Sequence, residues 1–306
     1  MTKQQYSITE IENAFFAHVA DAGVVFTDRP LVADGALHRV HVEGDKRGTK
    51  NGAYILHADG NPSGWFQHFV SGAYGTWTLS GKREPMTAAM RQQIEADRQR
   101  RKIEQQQRHD RAADKANTDW RSFQLATTLN PYLVRKKIQS HGAKTGVWRV
   151  WVNGKYDFIP ESLVLPLFDE NLKLRSLQAI FHETHPALGR DKDFLAGGQK
   201  RGCFWWLGKK SETVLIAEGF ATAASLHEAI GNQIFIAFDA GNLVNVAKIV
   251  RAKNPDAEII ICGDNDESGT GQKAARSAAL AVGGKYIIPA IVSQDWNDAL
   301  TMEVAV

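Results

Sequence analysis

The chain has 306 residues, enough for about two domains at roughly 100–200 residues each, and its 43% hydrophobic and 23% charged content is that of an ordinary soluble protein with a real core. A net charge of +3 is too mild to imply a nucleic-acid partner, so only local clustering of charge can carry that argument. Two distant cysteines, Cys203 and Cys262, exclude a zinc ribbon and a disulfide framework. The opening residues lack the apolar stretch of a signal peptide, and no apolar run approaches the roughly 18 residues of a membrane span, so no membrane role and a cytoplasmic location are expected.

Residues 1–85 read as a small α+β unit, rich in β structure, and a candidate for DNA binding. Ser7 and Glu10 have capping-box spacing at the start of a helix. Short runs at 37–42 and 53–57, separated by Gly, Asn, Asp and Pro, read as strands and turns. Trp65, Phe66, Phe69 and Trp77 are candidates either to stack on unpaired bases or to fill the core. Residues 86–118 form a charged helical connector. From Met90 to Lys115 there is no Gly or Pro, and Arg98, Arg100, Arg101, Lys102, Arg108 and Arg111 tilt it basic; it is either a solvated helix or an arm for the nucleic-acid backbone.

Residues 119–205 are mixed α/β. The pattern predicts a helix over 122–129 stopped before Pro131, then strands at 148–152, 162–168 and 177–182, then a glycine-rich basic loop over 192–202. His182 and His185 lack the helical spacing of a zinc-protease pair and receive no role.

Residues 212–300 have the clearest rhythm. Strands at 214–217, 234–238, 258–262 and 286–288 alternate with helices at 221–230, 243–252 and 272–282, with Gly231 and Gly283 after helix ends. Continuous apolar strands alternating with helices predict an α/β, Rossmann-like, mostly parallel sheet covered on both faces. Ligands of such sheets bind outside the carboxyl ends of the strands. Glu218-Gly219 follows the first strand, and Asp264-Asn265-Asp266 lies just beyond the third. If those strands are neighbours, three carboxylates converge, and such a cluster calls for a hard cation such as Mg²⁺ or Mn²⁺. Gly219 is expected to let the chain turn closely into the next helix, with Gly269 and Gly271 doing the same before the Ala-rich helix, whose N-terminus is a candidate for a phosphate. Counting a calcium loop from Asp264 fails, because its twelfth position is Ala275. The run from Gly269 to Lys273 lacks P-loop spacing.

These motifs resemble a known family. Glu218-Gly219-Phe220-Ala221-Thr222-Ala223-Ala224-Ser225-Leu226 and Asp264-Asn265-Asp266-Glu267-Ser268-Gly269 are similar to the two signature motifs of the TOPRIM domain, in the wording of plasmid- and phage-encoded primases. Asp295-Trp296-Asn297-Asp298 is similar to the motif that closes the domain. Asn130-Pro131-Tyr132-Leu133 to Lys136 resembles an upstream segment that usually starts with His. The resemblance covers about residues 119–300 and implies a TOPRIM domain over 206–306, preceded by a primase-like subdomain over 119–205. It implies Glu218 as general base or metal ligand, Asp264 and Asp266 as holders of Mg²⁺, and Asp295 or Asp298 completing the acidic cluster. Lys136, Lys192, Lys200 and Lys273, with Gly219 and Gly269, would then meet nucleotide or DNA. The implied activity is RNA-primer synthesis on single-stranded DNA from NTPs, beside a separate replicative helicase. A TOPRIM nuclease and a non-catalytic replication accessory protein are the alternatives.

Overall fold

The structure, a computed structural model, describes residues 6–79 and 88–303. The expected boundary at 85/86 and the chain's first five residues lie outside the described residues. The chain forms two compact units that divide between Ala96 and Asp97.

In the first unit, α1 (Ile8–Asp21) opens on Ser7 with the expected reciprocal capping box to Glu10. Its buried Ile11, Phe15, Phe16 and Val19 share one core with the four-stranded antiparallel sheet β1 (His38–Val40), β2 (Gly52–His57), β3 (Ser63–His68) and β4 (Tyr74–Thr78). Phe66 and Trp77 belong to that core, whereas Phe69 is exposed with the Arg39 guanidinium 4.4 Å from its ring centre.

The helix α2 (Ala88–Ser122) spans the expected connector and runs on into the second unit. It is not solvated along its length. Ala112, Ala113 and Ala116 are buried, and Ala116 packs among Trp148, Val150, Val164 and Leu177. Three small residues make an apolar stripe too weak to stand out in so polar a run, yet small enough to let the helix lie against a sheet. Asp110 fixes the contact by pairing with Arg175 at 2.8 Å.

That sheet is antiparallel and ordered β5-β6-β7-β8-β9, from β5 (Gln124–Leu125), β6 (Lys144–Val152), β7 (Lys155–Phe168), β8 (Leu174–His185) and β9 (Arg190–Phe194). The helix predicted over 122–129 is absent: α2 ends at Ser122 and β5 follows. Pro131 starts a helix here, at the first position of α3 (Pro131–Lys136). Asn130 is its N-cap, accepting from the Tyr132 amide at 3.1 Å, a use of proline that a reading of it as a stop signal misses. The Asn130 amide group also donates to Glu161 O (2.9 Å) and Thr145 Oγ1 (3.2 Å), so this buried residue locks α3 onto the sheet.

The second sheet of this unit is ordered β10-β12-β11-β13-β14. It comprises β10 (Trp205–Leu207), β11 (Thr213–Ala217), β12 (Gln233–Ile236), β13 (Glu258–Cys262) and β14 (Lys285–Ile287), parallel except for the edge strand β10. The helices are α4 (Phe220–Ile230), α5 (Leu243–Lys253), α6 (Thr270–Val282) and α7 (Trp296–Glu303). Alternate strand residues face opposite layers. Leu215, Ala217, Ile234 and Ile236 pack on α4 and on Leu163, Leu165 and Leu167 of β7, so the two sheets of this unit share a core. Val214, Ile216, Ile259 and Ile261 pack against α5 and the alanines of α6. Each fully buried Ile or Val stabilises by roughly 1.5–3 kcal/mol, and the polar residues Thr213, Gln233 and Glu258 stand only at the first positions of their strands. Among the described residues no helix is long and apolar enough to cross a membrane.

Candidate active site

The first and third strands of the predicted series, β11 and β13, are direct parallel neighbours, with Ala217 opposite Cys262. Glu218 follows Ala217 immediately, and Asp264 stands two residues past Cys262, so both carboxylates emerge at the same end of adjacent strands. Asp264 opens onto a cleft of about 210 Å³ lined by Tyr132, Lys136, Lys192, Gly219, Thr222 and Asp295, among others, and Glu218 stands directly before the lining residue Gly219.

The carboxylates feel one another. Burial, then the charges of Asp264, Asp266 and Asp239, push the Glu218 carboxyl up to about 7, against a partial offset from Lys192. Burial, then Asp295 and Asp266, push Asp264 up to about 6, offset by Lys192 and by a hydrogen bond donated from the buried Thr222. One Asp264 oxygen, Oδ1, is buried without a hydrogen-bond partner. An anionic oxygen in that position costs free energy unless a cation or donor meets it.

The helix α7 frames the cleft. Asp295 caps it, accepting from the Asp298 amide at 2.8 Å. The Lys136 ammonium lies 3.3 Å from both the Asp295 and Asp298 carboxylates. Buried Asn297 donates to Lys136 O (2.7 Å) and to Ser225 Oγ of α4 (2.8 Å), and Trp296 Nε1 donates to Gly263 O (3.1 Å), the residue before Asp264. Three consecutive residues thus fasten α3, α4 and the aspartate loop together.

Residues 213–305 match the family described as the Toprim domain. This part of the chain is similar to a Toprim domain. Two Escherichia coli proteins named "DNA primase TraC" are 32% and 33% identical to the chain, over 94% and 86% of it. The chain spans only 27% and 18% of the length of those curated relatives. A solved structure titled "Structure of the DnaG primase catalytic domain bound to ssDNA" overlaps at a TM-score of 0.46 and 13% identity, over 66% of this chain and 76% of that one.

The residues singled out from sequence fall into three groups. Asp264 and Asp295 line the cleft with Lys136, Lys192 and Gly219, and Glu218 and Asp266 are coupled electrostatically to Asp264 without lining it. Asp298 is not part of the cleft lining; it is held by Lys136, which neutralises it. Lys200 stands 3.9 Å from Asp239, and Lys273 is exposed in the first turn of α6. No three His, Cys, Asp or Glu side chains among the described residues converge closely enough to form a complete metal cage. Glu218, Asp264, Asp266, Asp295 and Asp298, the expected metal ligands, therefore do not form a closed cage.

Two glycine expectations divide. Gly269 does sit in the left-handed region, at φ 69°. Gly219 does not supply a tight turn: its backbone is extended at φ −116°, and a Cβ there would meet nothing within 4 Å. What it supplies is open space in the cleft. The expected phosphate seat on α6 is also altered. Its Gly271 amide is taken by Asp266 Oδ2 at 2.6 Å, and its Thr270 amide by Ser268 Oγ at 3.3 Å. The helix start without a side-chain cap at the cleft is that of α4.

Sequence reasoning missed Asp239, Thr222 and Tyr132. Asp239 could have been found, because it too is an acid just beyond a strand of the parallel sheet, the same rule that found Glu218. The expected strand at 234–238 was drawn two residues too long; Phe238 is left-handed at φ 70° and turns the chain there.

Proposed function

We propose that this chain is a primase-like nucleotidyltransferase, making short RNA primers on single-stranded DNA from NTPs with a divalent cation. The reading rests on one observation: Glu218 and Asp264, at the ends of paired strands β11 and β13, come together beside a cleft that Asp264 lines with Lys136 and Lys192, and burial and mutual repulsion hold both acids above the usual carboxylate range. The similarity to the TraC primases supports it. Residues 119–205 then serve as the N-terminal subdomain of the catalytic core, and residues 206–306 as its Toprim domain.

The donor set fits a hard cation. Asp264 has an unpartnered buried oxygen, and its acidic neighbours repel it. Mg²⁺ suits such a site, since it usually keeps several waters and binds substrate phosphates; Mn²⁺ would serve the same site. Asp264, with Asp266 and Glu218 nearby, would hold the cation, which offsets charge building on the phosphate oxygens. The chain's own residues do the rest. Glu218, held near 7, is poised to accept the proton of the attacking 3′-hydroxyl. The Lys136 and Lys192 ammonium groups face the polyphosphate whose pyrophosphate leaves. The uncapped start of α4 offers amide donors to a phosphate oxygen, and Gly219 keeps that approach open. In this reading a separate helicase opens the template.

The test is direct. The protein is incubated with single-stranded template, labelled NTPs and Mg²⁺. Newly made short oligonucleotides, lost in Glu218→Gln and Asp264→Asn, support the proposal. Shortened template identifies a nuclease, no product identifies an accessory protein, and full activity in either variant overturns the assigned roles.

A further inference from the structure

The hairpin β6–β7 turns on Asn153-Gly154, both left-handed at φ 49° and 81°, a tight two-residue connection. Its inner face behaves as expected: Trp148, Val150 and Ile159 are buried in the core that α2 also enters. Its outer face does not. Alternation should make that face polar, yet Val147, Trp151, Tyr156 and Phe158 are 55%, 61%, 52% and 59% exposed. Trp151 stands directly opposite Tyr156, their rings 4.7 Å apart, and Arg149 stands opposite Phe158 with its guanidinium 4.4 Å from the Tyr156 ring. The acid within this stretch, Asp157, lies opposite buried Val150 and is paired with His185 at 3.2 Å. The outward set 147, 149, 151, 156 and 158 therefore holds three aromatic rings, one aliphatic side chain, one cation and no carboxylate.

Exposed aromatics in one patch mark a binding surface. We propose that this face of the β6–β7 hairpin is a stacking platform for single-stranded nucleic acid, with bases on Trp151, Tyr156 and Phe158 and a backbone phosphate on Arg149. Flat rings accept any base, and the cation suits a polyanion rather than an uncharged apolar partner. The proposal rests on the primase reading for its biological sense, since a primase must hold template or nascent primer outside the reacting cleft.

The experiment measures binding alone, in chelator and without NTPs, so that it is independent of catalysis. A fluorescently labelled oligo-dT strand is titrated with the full chain, its Trp151→Ala, Tyr156→Ala and Trp151→Phe variants, and Arg149→Gln. A blunt duplex of the same length is the control. Each alanine variant should weaken single-strand binding by about tenfold, while Trp151→Phe keeps most of it and duplex binding stays unchanged. Arg149→Gln should reduce the slope of log affinity against log salt by about 0.7, one phosphate's worth on a single strand. The side chains are exposed, and circular dichroism melts confirm that the variants fold. Unchanged oligo-dT affinity in Trp151→Ala overturns the platform. So does an equal loss on duplex, or a self-association that Trp151→Ala abolishes without touching DNA affinity. A wild type that binds through these rings yet makes no primers would instead sink the primase reading and leave the platform standing.

Discussion

Glu218→Gln is expected to stabilise the metal-free protein at high pH. The Glu218 carboxyl is pushed from its ordinary 4.5 up to about 7 by burial and by Asp264, Asp266 and Asp239. At about 1.4 kcal/mol for each pH unit, ionising it costs the fold roughly 3 kcal/mol, and screening by solvent at the cleft mouth reduces this to about 1–2 kcal/mol. The sign follows from linkage. A group whose folded pKa is raised binds more protons in the folded state, so its contribution is fully present below the unfolded value and is lost as pH rises through about 7. Gln has no charge to lose. At pH 8 in chelator the variant should therefore melt about 3–6 °C above wild type, for a unit of about 200 residues, and the difference should vanish near pH 4. Added divalent cation should stabilise the wild type at pH 8 and act less on the variant, because it binds the ionised carboxylates. Thermal melts across pH, with and without cation, read all of this. A variant that melts at or below wild type at pH 8 in chelator would refute the electrostatic account of the cleft.

Three substitutions test the framework around the carboxylates. In Gly271→Ala the new Cβ would stand 2.7 Å from Asp264 O and 3.0 Å from Asp266 Oδ2. The aspartate loop must move, so primer synthesis should collapse while denaturant melts show a loss of about 1–3 kcal/mol from overpacking, less about 1 kcal/mol for better helix propensity. Gly219→Ala meets nothing in the protein; a poorer N-cap and a stiffer unfolded chain oppose each other to within about 1 kcal/mol. Stability should hold while KM for the nucleotide rises, and an unaltered KM would show that nothing approaches there. Asn297→Ala strands Lys136 O and Ser225 Oγ, at about 1–3 kcal/mol by chemical denaturation. Its activity should fall further than that of Asp298→Asn, which removes only one of the two carboxylates at Lys136.

The parallel sheet was readable because its strands are continuous apolar runs, and the carboxylate pair was readable because strand-end acids need only the strand boundaries to be right. Asp239 met that condition, directly after the expected strand at 234–238, and was passed over. The 119–205 stretch was less legible for local reasons. Pro131 both ends and begins helices, and only the neighbouring Asn130 cap decides which. The sequence Asn153-Gly154 between Val152 and Lys155 carries a strong hairpin signal that passed unread. The three alanines of α2 are invisible in its polar background because burial of so small a stripe depends on the sheet it meets. Long-range consequences were beyond reach altogether: nothing local tells that Asn297 touches residues 161 and 72 positions away.

That clasp has a bearing on how the protein comes into being. Ribosomes deliver α3, the antiparallel sheet and most of the parallel one before α7 exists. Until Asp295, Trp296 and Asn297 emerge, Lys136 has neither its acidic counterions nor its backbone anchor, and Gly263 lacks the indole that fixes the loop beside it. A nascent or truncated chain lacking α7 would hold both sheets and the acids that follow β11 and β13, yet have a slack, unassembled cleft, so α7 acts as the latch that turns a folded scaffold into a competent one.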